Sequence, residues 1–238
     1  MIFTAFSRAL GQSGDPRFRK VLFLGIGLTF LLLAAIYAIV FFVVGWLVGD
    51  SVTLPLIGTV TWVDSLLGWG SLVLMMGLSV FLMIPVAAAI SSMFLDQVAE
   101  AVEEVHYPAL PHVEPVPLID GFIDGLGMLG VLIAANVLAL VLYFIFAPLA
   151  PLIFYLMNGY LLGREYFTLV AMRRIGRANA KAARGRHIAT IWAAGTLMAL
   201  PLSIPILNLV IPIYGAATFT HVYHALSKKD PRLLSATA

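Results

Sequence analysis

The sequence contains no cysteine among its 238 residues. This absence excludes thiol catalysis, cysteine-ligated zinc, iron–sulfur clusters and any disulfide framework. Charge is also scarce, because Asp, Glu, Lys and Arg together make up 11% of the chain, whereas soluble domains carry about 25%. That composition excludes an ordinary soluble enzyme. The net charge of +2 is too small by itself to indicate nucleic-acid binding.

Long charge-free runs take the place of the missing charge. The run from Val21 to Val48 has 28 residues, or about 42 Å of helix, which is enough to cross a hydrocarbon core of about 30 Å with tilt. A second run from Ser65 to Leu95 predicts another transmembrane helix, which Pro85 kinks but does not end. The intervening segment, Asp50 to Asp64, is predicted to be an external turn.

The second span is predicted to continue out of the membrane to residue 106 as an amphipathic helix. Apolar residues recur there at helical spacing, and acidic residues are predicted to face away from them. The apolar positions are Leu95, Val98, Val102 and Val105, and the acidic ones are Asp96, Glu100, Glu103 and Glu104. We interpret these four acidic residues as the solvent-exposed face of the helix. The alternatives are a cation site, a proton-coupling site or an electrostatic gate. Four prolines then predict an extended loop over Tyr107 to Pro117.

Two further apolar blocks, 126–163 and 188–226, contain prolines in their interiors. Pro148 and Pro151 break the first block, and Pro201, Pro205 and Pro212 break the second. Each block is therefore predicted to be a pair of helical limbs. Glycines near the first span and the first block are predicted to permit close helix packing: Gly25, Gly27, Gly121, Gly125, Gly127 and Gly130.

The distribution of Lys and Arg predicts the topology. The basic residues form three clusters, over 8–20, 164–186 and 228–232, and none lies between Lys20 and Arg164. The positive-inside rule places all three clusters in the cytoplasm. Each proline-broken block must then enter and leave the membrane on the same side. The limb from Ile188 to Leu200, about 20 Å long, is too short to cross, whereas the limb from Leu126 to Ala147 is long enough to cross alone.

These patterns predict one all-α integral membrane domain with both termini in the cytoplasm. Its predicted parts are an interfacial N-terminal segment (1–20), two transmembrane helices (21–48, and 65–106 with its cytoplasmic extension), two partly penetrating helical hairpins (126–163 and 188–226) and a basic cytoplasmic segment between them (164–187). A short helix with Ile2, Phe3, Phe6, Ala9 and Leu10 on one face is predicted to lie on the membrane surface.

Four features resemble the CysZ family of bacterial inner-membrane sulfate permeases. They are Arg19-Lys20 before the first span, the stretch Leu95-Asp-Gln-Val-Ala-Glu100, the basic segment after Gly163-Arg-Glu-Tyr166, and the C-terminal Ile204-Pro-Ile-Leu-Asn-Leu-Val-Ile-Pro-Ile-Tyr-Gly-Ala-Ala-Thr218. The order of these elements matches the family over nearly the whole chain. The C-terminal stretch is the most specific, because its spacing of prolines around Asn208 is unusual.

The resemblance implies sulfate uptake across the inner membrane for cysteine synthesis, by homo-oligomers of two or more chains embedded in lipid. In that family a Gly-aliphatic-Arg-Arg turn before the first span is associated with sulfate binding. The resemblance therefore assigns sulfate to Arg19 and Lys20, with Arg17 standing where the family has glycine. The competing interpretations are topology determinants that contact lipid phosphates, a membrane scaffold or lipid-interacting protein of the same fold, and an interfacial enzyme.

The remaining polar residues support weaker assignments. Arg164 and Glu165 are predicted to be an ion pair, either structural or at a pore mouth, and Asn208 is a further pore or gate candidate. His221 and His224 are spaced for metal coordination on a helix, but no other strong ligand lies nearby in the sequence. A phosphate-binding loop, a dinucleotide fingerprint and a catalytic triad are all missing from the sequence. We therefore predict no enzyme, no metal, no cofactor and no nucleic-acid partner.

Overall fold

The computed structural model describes residues 1–48, 52–54, 58–60, 94–113, 118–204, 207–208 and 210–234. The α-helices in these ranges are α1 (Ile2–Gly11), α2 (Pro16–Val48), α3 (Leu95–His106), α4 (Leu118–Ile145), α5 (Ala150–Arg186), α6 (Ile188–Ala199) and α7 (Ile211–Ser227). Short 3₁₀ turns cover Ala147–Leu149, Leu200–Ser203 and Pro231–Leu233. The helical fold class predicted from the sequence is confirmed for these residues.

A small β-hairpin lies in the segment that was predicted to be an external turn. Strand β1 (Val52–Leu54) pairs with the antiparallel strand β2 (Gly58–Val60), and Val52 lies opposite Val60. Valine and threonine favour the extended backbone, and they occupy both strands. The hairpin therefore adds short strands to the otherwise helical fold.

Helix α2 begins at Pro16 and contains the first predicted span. Its segment Pro16–Ile39 is long and apolar enough to cross a membrane, and only 11% of its most apolar window is buried in the protein. It is the one described helix that meets this criterion of length and composition. The second predicted span, residues 65–93 with its proline kink, lies outside the described residues.

Helix α1 forms as predicted, but part of its predicted apolar face packs onto the protein. The small residues Ala5 and Ala9 are buried, and α1 lies along α7. Phe3, in contrast, is 76% exposed, and Leu10 is exposed as well. Small side chains let the two helix backbones approach closely, and Ile2 and Phe6 are partly buried against the core beside them.

Prolines mark the helix breaks at the predicted places. Helix α4 ends at Ile145, and a 3₁₀ turn containing Pro148 leads into α5. Another 3₁₀ turn, which contains Pro201, follows α6. The described apolar part of α4, Gly130–Ile145, is shorter than the helices that meet the spanning criterion.

The basic segment 164–187 is the tip of a helical hairpin and not a separate loop. Within α5 the backbone of Gly176 has φ 72° and ψ 167°, which reverses the chain. The residues after Gly176 therefore run back along those before it: Arg184 Nη1 donates to Thr168 Oγ1 at 2.8 Å, and Trp192 Nε1 donates to the Leu156 carbonyl at 2.8 Å. We call residues 150–203 the central hairpin.

Replacing Gly176 with alanine is expected to destabilise the protein by about 2 kcal/mol. Only glycine adopts a positive φ together with an extended ψ at little cost, and other residues pay roughly 1–3 kcal/mol there. Nothing lies within 4 Å of a Cβ built on Gly176, so the expected loss comes from the backbone alone. Chemical unfolding in detergent measures it, and an unchanged unfolding midpoint would contradict the backbone argument.

Glycines bring the two limbs of the central hairpin together. A Cβ on Gly163 would lie 2.5 Å from the Ile191 carbonyl oxygen, and a Cβ on Gly195 would lie 2.7 Å from the Gly163 nitrogen. By contrast, Gly27, Gly127 and Gly130 have open space at the Cβ position. Among the described residues, close packing is therefore not found at those three glycines.

The buried core and the exposed apolar surface lie in different parts of the fold. The core combines α1, α3, the second half of the first limb of the hairpin, one face of α6 and α7, with Val98, Phe167 and Phe219 inaccessible to solvent. The large exposed apolar side chains fall mainly on α2, α4, the first half of that limb and α6; Phe144, for example, is 92% exposed. An apolar surface of this extent is unusual for a soluble monomer.

Candidate anion site and adjacent ionic cluster

The loop before α2 is held in place by its own polar side chains. Asp15 Oδ1 accepts the N–H of Arg17 at 2.8 Å, and Gln12 Nε2 donates to Asp15 Oδ2 at 2.9 Å. The same Gln12 nitrogen lies 3.1 Å from the Ala101 carbonyl oxygen on α3. Asp15 therefore caps α2, whose first residue is Pro16, and this cap fixes the start of α2 against α3.

The charge of Arg17 is largely balanced. Its Nη2 lies 2.7 Å from Glu104 Oε2, and its Nε lies 3.8 Å from Asp15 Oδ1. The hydrogen bond with Glu104 raises the pKa of Arg17 above its usual value. Arg17 thus joins the start of α2 to α3, and less of its charge remains for an external anion.

Arg19 and Lys20 differ from Arg17 in this respect. Both are exposed, and neither side chain has a hydrogen bond or an ion pair with any residue that the structure describes. An Arg19 Nη2 atom would lie 4.0 Å from a Cβ on Gly14, so this guanidinium lies beside the glycine-containing loop. The first turns of α2 therefore present two cations without counter-ions in the described part of the chain.

Arg164 and Glu165 lie at about the same level of the bundle as this loop. The Tyr214 hydroxyl donates to Ser13 Oγ at 2.8 Å, and the next residue, Gly215, packs against the ring of Tyr166. The expected ion pair between Arg164 and Glu165 does not form, because adjacent helix residues point about 100° apart. Neither side chain has a hydrogen-bond or ion-pair partner among the described residues.

Asn208 lies apart from these charges, in the connection between α6 and α7. Its Oδ1 is buried and has no hydrogen-bond partner among the described residues. A buried amide oxygen without a donor is costly. The structure brings Arg17, Arg19 and Lys20 together on one helix start and leaves Asn208 on a separate element.

Glu103 occupies the centre of a buried ionic cluster. Arg174 donates to it from Nε at 2.9 Å and from Nη2 at 2.6 Å, Arg173 Nη1 lies 3.3 Å away, and His224 Nε2 donates at 2.9 Å. The Arg173, Arg174 and Glu103 side chains are only 3%, 8% and 6% exposed. The prediction that Glu103 belongs to an exposed acidic face is therefore wrong. Val105, which was predicted to be on the apolar face, is 55% exposed in the last turn of α3.

These contacts determine the protonation of Glu103. Burial by itself raises the pKa of the carboxyl, but hydrogen bonds from His224 and Arg174, together with the charges of both arginines, lower it to about 2. Because a carboxyl with a lowered pKa stabilises the fold only when ionised, its contribution is complete above the ordinary pKa of 4.5 and is lost as the pH falls toward 2.

We expect the free energy of unfolding to decrease as the pH is lowered from 4.5 to 2, and this decrease to be shallower in Glu103→Gln. The variant has no titrating group at this position, so only the other carboxyls contribute. Urea unfolding at half-unit pH intervals measures both slopes. Parallel slopes for the two proteins would contradict the assignment.

The two histidines of α7 have different partners. His221 Nδ1 forms a 2.9 Å hydrogen bond with the Tyr107 hydroxyl, and its ring lies 4.7 Å from that of His106. His224 contacts Glu103 instead. No group of three or more metal-ligating side chains occurs among the described residues. In the described part of the chain, His221 and His224 are therefore not arranged to bind one metal ion together.

A cavity of about 180 Å³ lies beside the ionic cluster. Its walls are α3, the loop after it and the tip of the central hairpin. The lining residues are Glu100, Glu103, Glu104, Tyr107, Pro108, Leu110, Pro111, His112, Val113, Arg173 and Arg174. The loop is fixed to the cluster because Arg174 Nη1 donates to the Pro111 carbonyl at 2.8 Å.

Two features of the sequence indicate this cluster: the apolar neighbours of Glu103 and those of the Arg173-Arg174 pair. Glu103 follows the buried Val102 and lies one turn after the buried Ala99, so it borders the apolar face of α3. The Arg173-Arg174 pair is flanked by apolar residues on both sides. Arginines inside an apolar stretch indicate burial against an acid, whereas the distribution of Lys and Arg placed them only in a basic cytoplasmic segment.

Comparison with known proteins supports the resemblance stated above. The model of the family described as sulfate transporter CysZ/etoposide-induced protein 2.4 matches residues 5–212. No curated protein and no solved structure matches the chain. The matched range contains the capped start of α2, Glu103 on α3 and the whole central hairpin, and on this evidence the chain belongs to the sulfate transporter CysZ/etoposide-induced protein 2.4 family.

Proposed function

We propose that the protein mediates sulfate uptake across the bacterial inner membrane. Its family is one of membrane-associated transporters. The observation that carries the proposal is the pair of exposed cations, Arg19 and Lys20, at the start of the one described helix that is long and apolar enough to span a membrane. An oxyanion needs cationic donors of this kind at the membrane boundary.

The exposed apolar surface supports a membrane-embedded arrangement. In the central hairpin, residues 150–163 and 188–203 correspond to about 21 Å and 24 Å of helix, which is less than a hydrocarbon core of about 30 Å. The tip at Gly176 carries basic residues, and the positive-inside rule places it in the cytoplasm. These limbs would then enter the membrane only part of the way, with both termini in the cytoplasm.

Partly penetrating limbs leave polar backbone at membrane depth, which is tolerated only where protein or a water-filled cavity covers it. This requirement favours assembly of several copies around a shared path. Asn208, with its unpartnered buried oxygen, is the residue we assign to that path within the membrane. Arg164 and Glu165, at the level of the α2 start, are assigned to its cytoplasmic mouth.

Neutralising the cation pair is expected to reduce sulfate uptake by about tenfold or more in the double variant Arg19→Gln, Lys20→Gln. A charged hydrogen bond contributes roughly 1.5–3 kcal/mol, and about 1.4 kcal/mol corresponds to tenfold. Uptake of radiolabelled sulfate into proteoliposomes measures the effect. The matched control is Lys228→Gln, Lys229→Gln, which removes two exposed cations elsewhere and is expected to leave uptake unchanged.

The same assay separates the proposal from its main alternative. A membrane scaffold or lipid-interacting protein of this fold would give no sulfate flux even as the wild-type chain. Equal uptake by the double variant and the wild type would instead retain transport and remove Arg19 and Lys20 from the site. Reduced uptake by the Lys228/Lys229 control would indicate that net charge matters and not the position of the cations.

A further inference from the structure

The carboxylate of Glu103 is bound as a free oxyanion would be bound. Both of its oxygens accept hydrogen bonds from Arg174, in a two-point contact of 2.9 Å and 2.6 Å. Arg173 and His224 complete the ring of donors at 3.3 Å and 2.9 Å. Planar guanidinium groups in this arrangement recognise carboxylates and tetrahedral oxyanions alike, because both present paired oxygens.

The cluster has more cationic donors than Glu103 can satisfy. Both buried guanidinium groups contact the buried carboxylate of Glu103, and Arg173 also forms a longer ion pair with the partly exposed Asp96, 3.8 Å from its Nε. That Nε is buried and has no hydrogen-bond partner among the described residues. A tetrahedral oxyanion has more oxygens than a carboxylate, so it could accept from this Nε as well as from the donors that now bind Glu103.

The adjoining cavity gives a ligand access to these donors. Arg173, Arg174 and Glu103 all lie on its wall. The two other acids that line it have their own partners, since Glu104 binds Arg17 at 2.7 Å and Glu100 lies 3.2 Å from His112 Nδ1. Arg17 thus balances the charge of Glu104 at the cavity, and Glu103 is the acid that competes directly for the arginines.

We propose that Arg173 and Arg174 form a second oxyanion site, in which Glu103 is a tethered resident ligand that sulfate can replace. Naming sulfate as the ligand rests on the proposed function; the site itself rests on the donor geometry. When sulfate binds, the displaced carboxylate turns into the adjoining cavity, whose wall already includes Glu103. When sulfate leaves, the carboxylate returns and the two buried arginines regain a partner. Exchange therefore avoids a state with unpaired buried charges, which would be costly.

Removing the resident carboxylate tests this site directly. The experiment uses full-length Glu103→Ala in an Arg19→Gln, Lys20→Gln background, so that the first anion site does not contribute. The thermal unfolding midpoint is measured at increasing millimolar sulfate, with chloride adjusted to hold the ionic strength constant. We expect a saturable, sulfate-dependent rise in this variant. The matched control, Glu100→Ala in the same background, removes a carboxylate from the same cavity and is expected to show only the small general effect of sulfate as a stabilising salt.

Two further variants make the result decisive. Adding Arg174→Gln to Glu103→Ala is expected to abolish the saturable rise, because the two-point donor is then missing. If Glu103→Ala does not fold in any buffer, the thermal unfolding midpoint of Glu103→Gln, which keeps the side-chain volume, is measured in its place. A folded Glu103 variant whose midpoint responds to sulfate no more than the Glu100 control would overturn the proposal.

The outcome is independent of the transport assay. Sulfate-dependent stabilisation without any flux in proteoliposomes would support this site and overturn the proposed function. Flux without such stabilisation would support the proposed function and overturn the exchange of Glu103 for sulfate.

Discussion

Replacing Glu103 with alanine is expected to lower the free energy of unfolding by about 3–5 kcal/mol, which is the usual cost of removing one partner from a buried ion pair. The side chains of both arginines are less than a tenth exposed, so water cannot replace the missing carboxylate. His224 loses its hydrogen bond as well. Urea or guanidinium unfolding of the purified chain in detergent, without sulfate, measures the difference.

Glu100→Ala is the matched control, on the same helix. Its carboxylate contacts His112, whose side chain is 74% exposed, and exposed pairs of this kind contribute about 0–1 kcal/mol. Similar losses for the two variants would show that removal of any acid from α3 destabilises the fold, and the special role of Glu103 would be lost.

Replacing Gly195 with alanine is expected to cost about 3 kcal/mol, at the upper end of the range for overpacked sites. The added Cβ would lie 2.7 Å and 2.9 Å from the Gly163 nitrogen and Cα. Backbone atoms cannot rotate away as side chains can, so the two limbs of the central hairpin must separate. Thermal unfolding of the variant measures the loss.

Gly185→Ala is expected to change the stability of the protein in the opposite direction. This glycine is exposed on α5, and a Cβ there meets nothing within 4 Å. Alanine in a helix interior is favoured over glycine by about 0.5–1 kcal/mol, so a small stabilisation is expected. Destabilisation by both substitutions would indicate that glycine is required along the whole hairpin, and the close contact at Gly195 would no longer explain the loss.

Helix α3 connects the two anion sites proposed for this protein. One residue of α3, Glu104, binds Arg17 beside the exposed cations of α2, and its neighbour Glu103 binds Arg174 at the hairpin tip. Adjacent helix residues point about 100° apart, so α3 contacts both sites with different faces. A displacement of α3 would therefore change both sites together.

Much of the architecture could be predicted from the sequence because membrane-type composition imposes simple rules. In lipid, a charge-free run as long as Val21 to Val48 can hydrogen-bond its backbone N–H and C=O groups only by forming a helix. Helix α2 covers this run. The prolines at 148 and 201 predict helix breaks, and the breaks occur there. The cap at Asp15 is equally local, because it joins a side chain to the backbone two residues further along the chain.

The ionic cluster could not be predicted because it depends on contacts between residues far apart in the chain. Glu103 and Arg174 are separated by 71 positions, and Glu103 and His224 by 121. By helical spacing alone, Glu103 belongs with its acidic neighbours on a solvated face. Its burial follows from the tip at Gly176, which brings two arginines against α3.

The sequence by itself determined which segments are helical, where prolines end them and where positive charge is placed, because these properties depend on neighbouring residues. Only the tertiary structure decided which charges are available to an anion. Arg17 is balanced by Glu104, Arg173 and Arg174 enclose Glu103, and Arg19 and Lys20 are left exposed. The physical reason is that the availability of a charge depends on its partners and its burial, and both are set by the packing of distant helices.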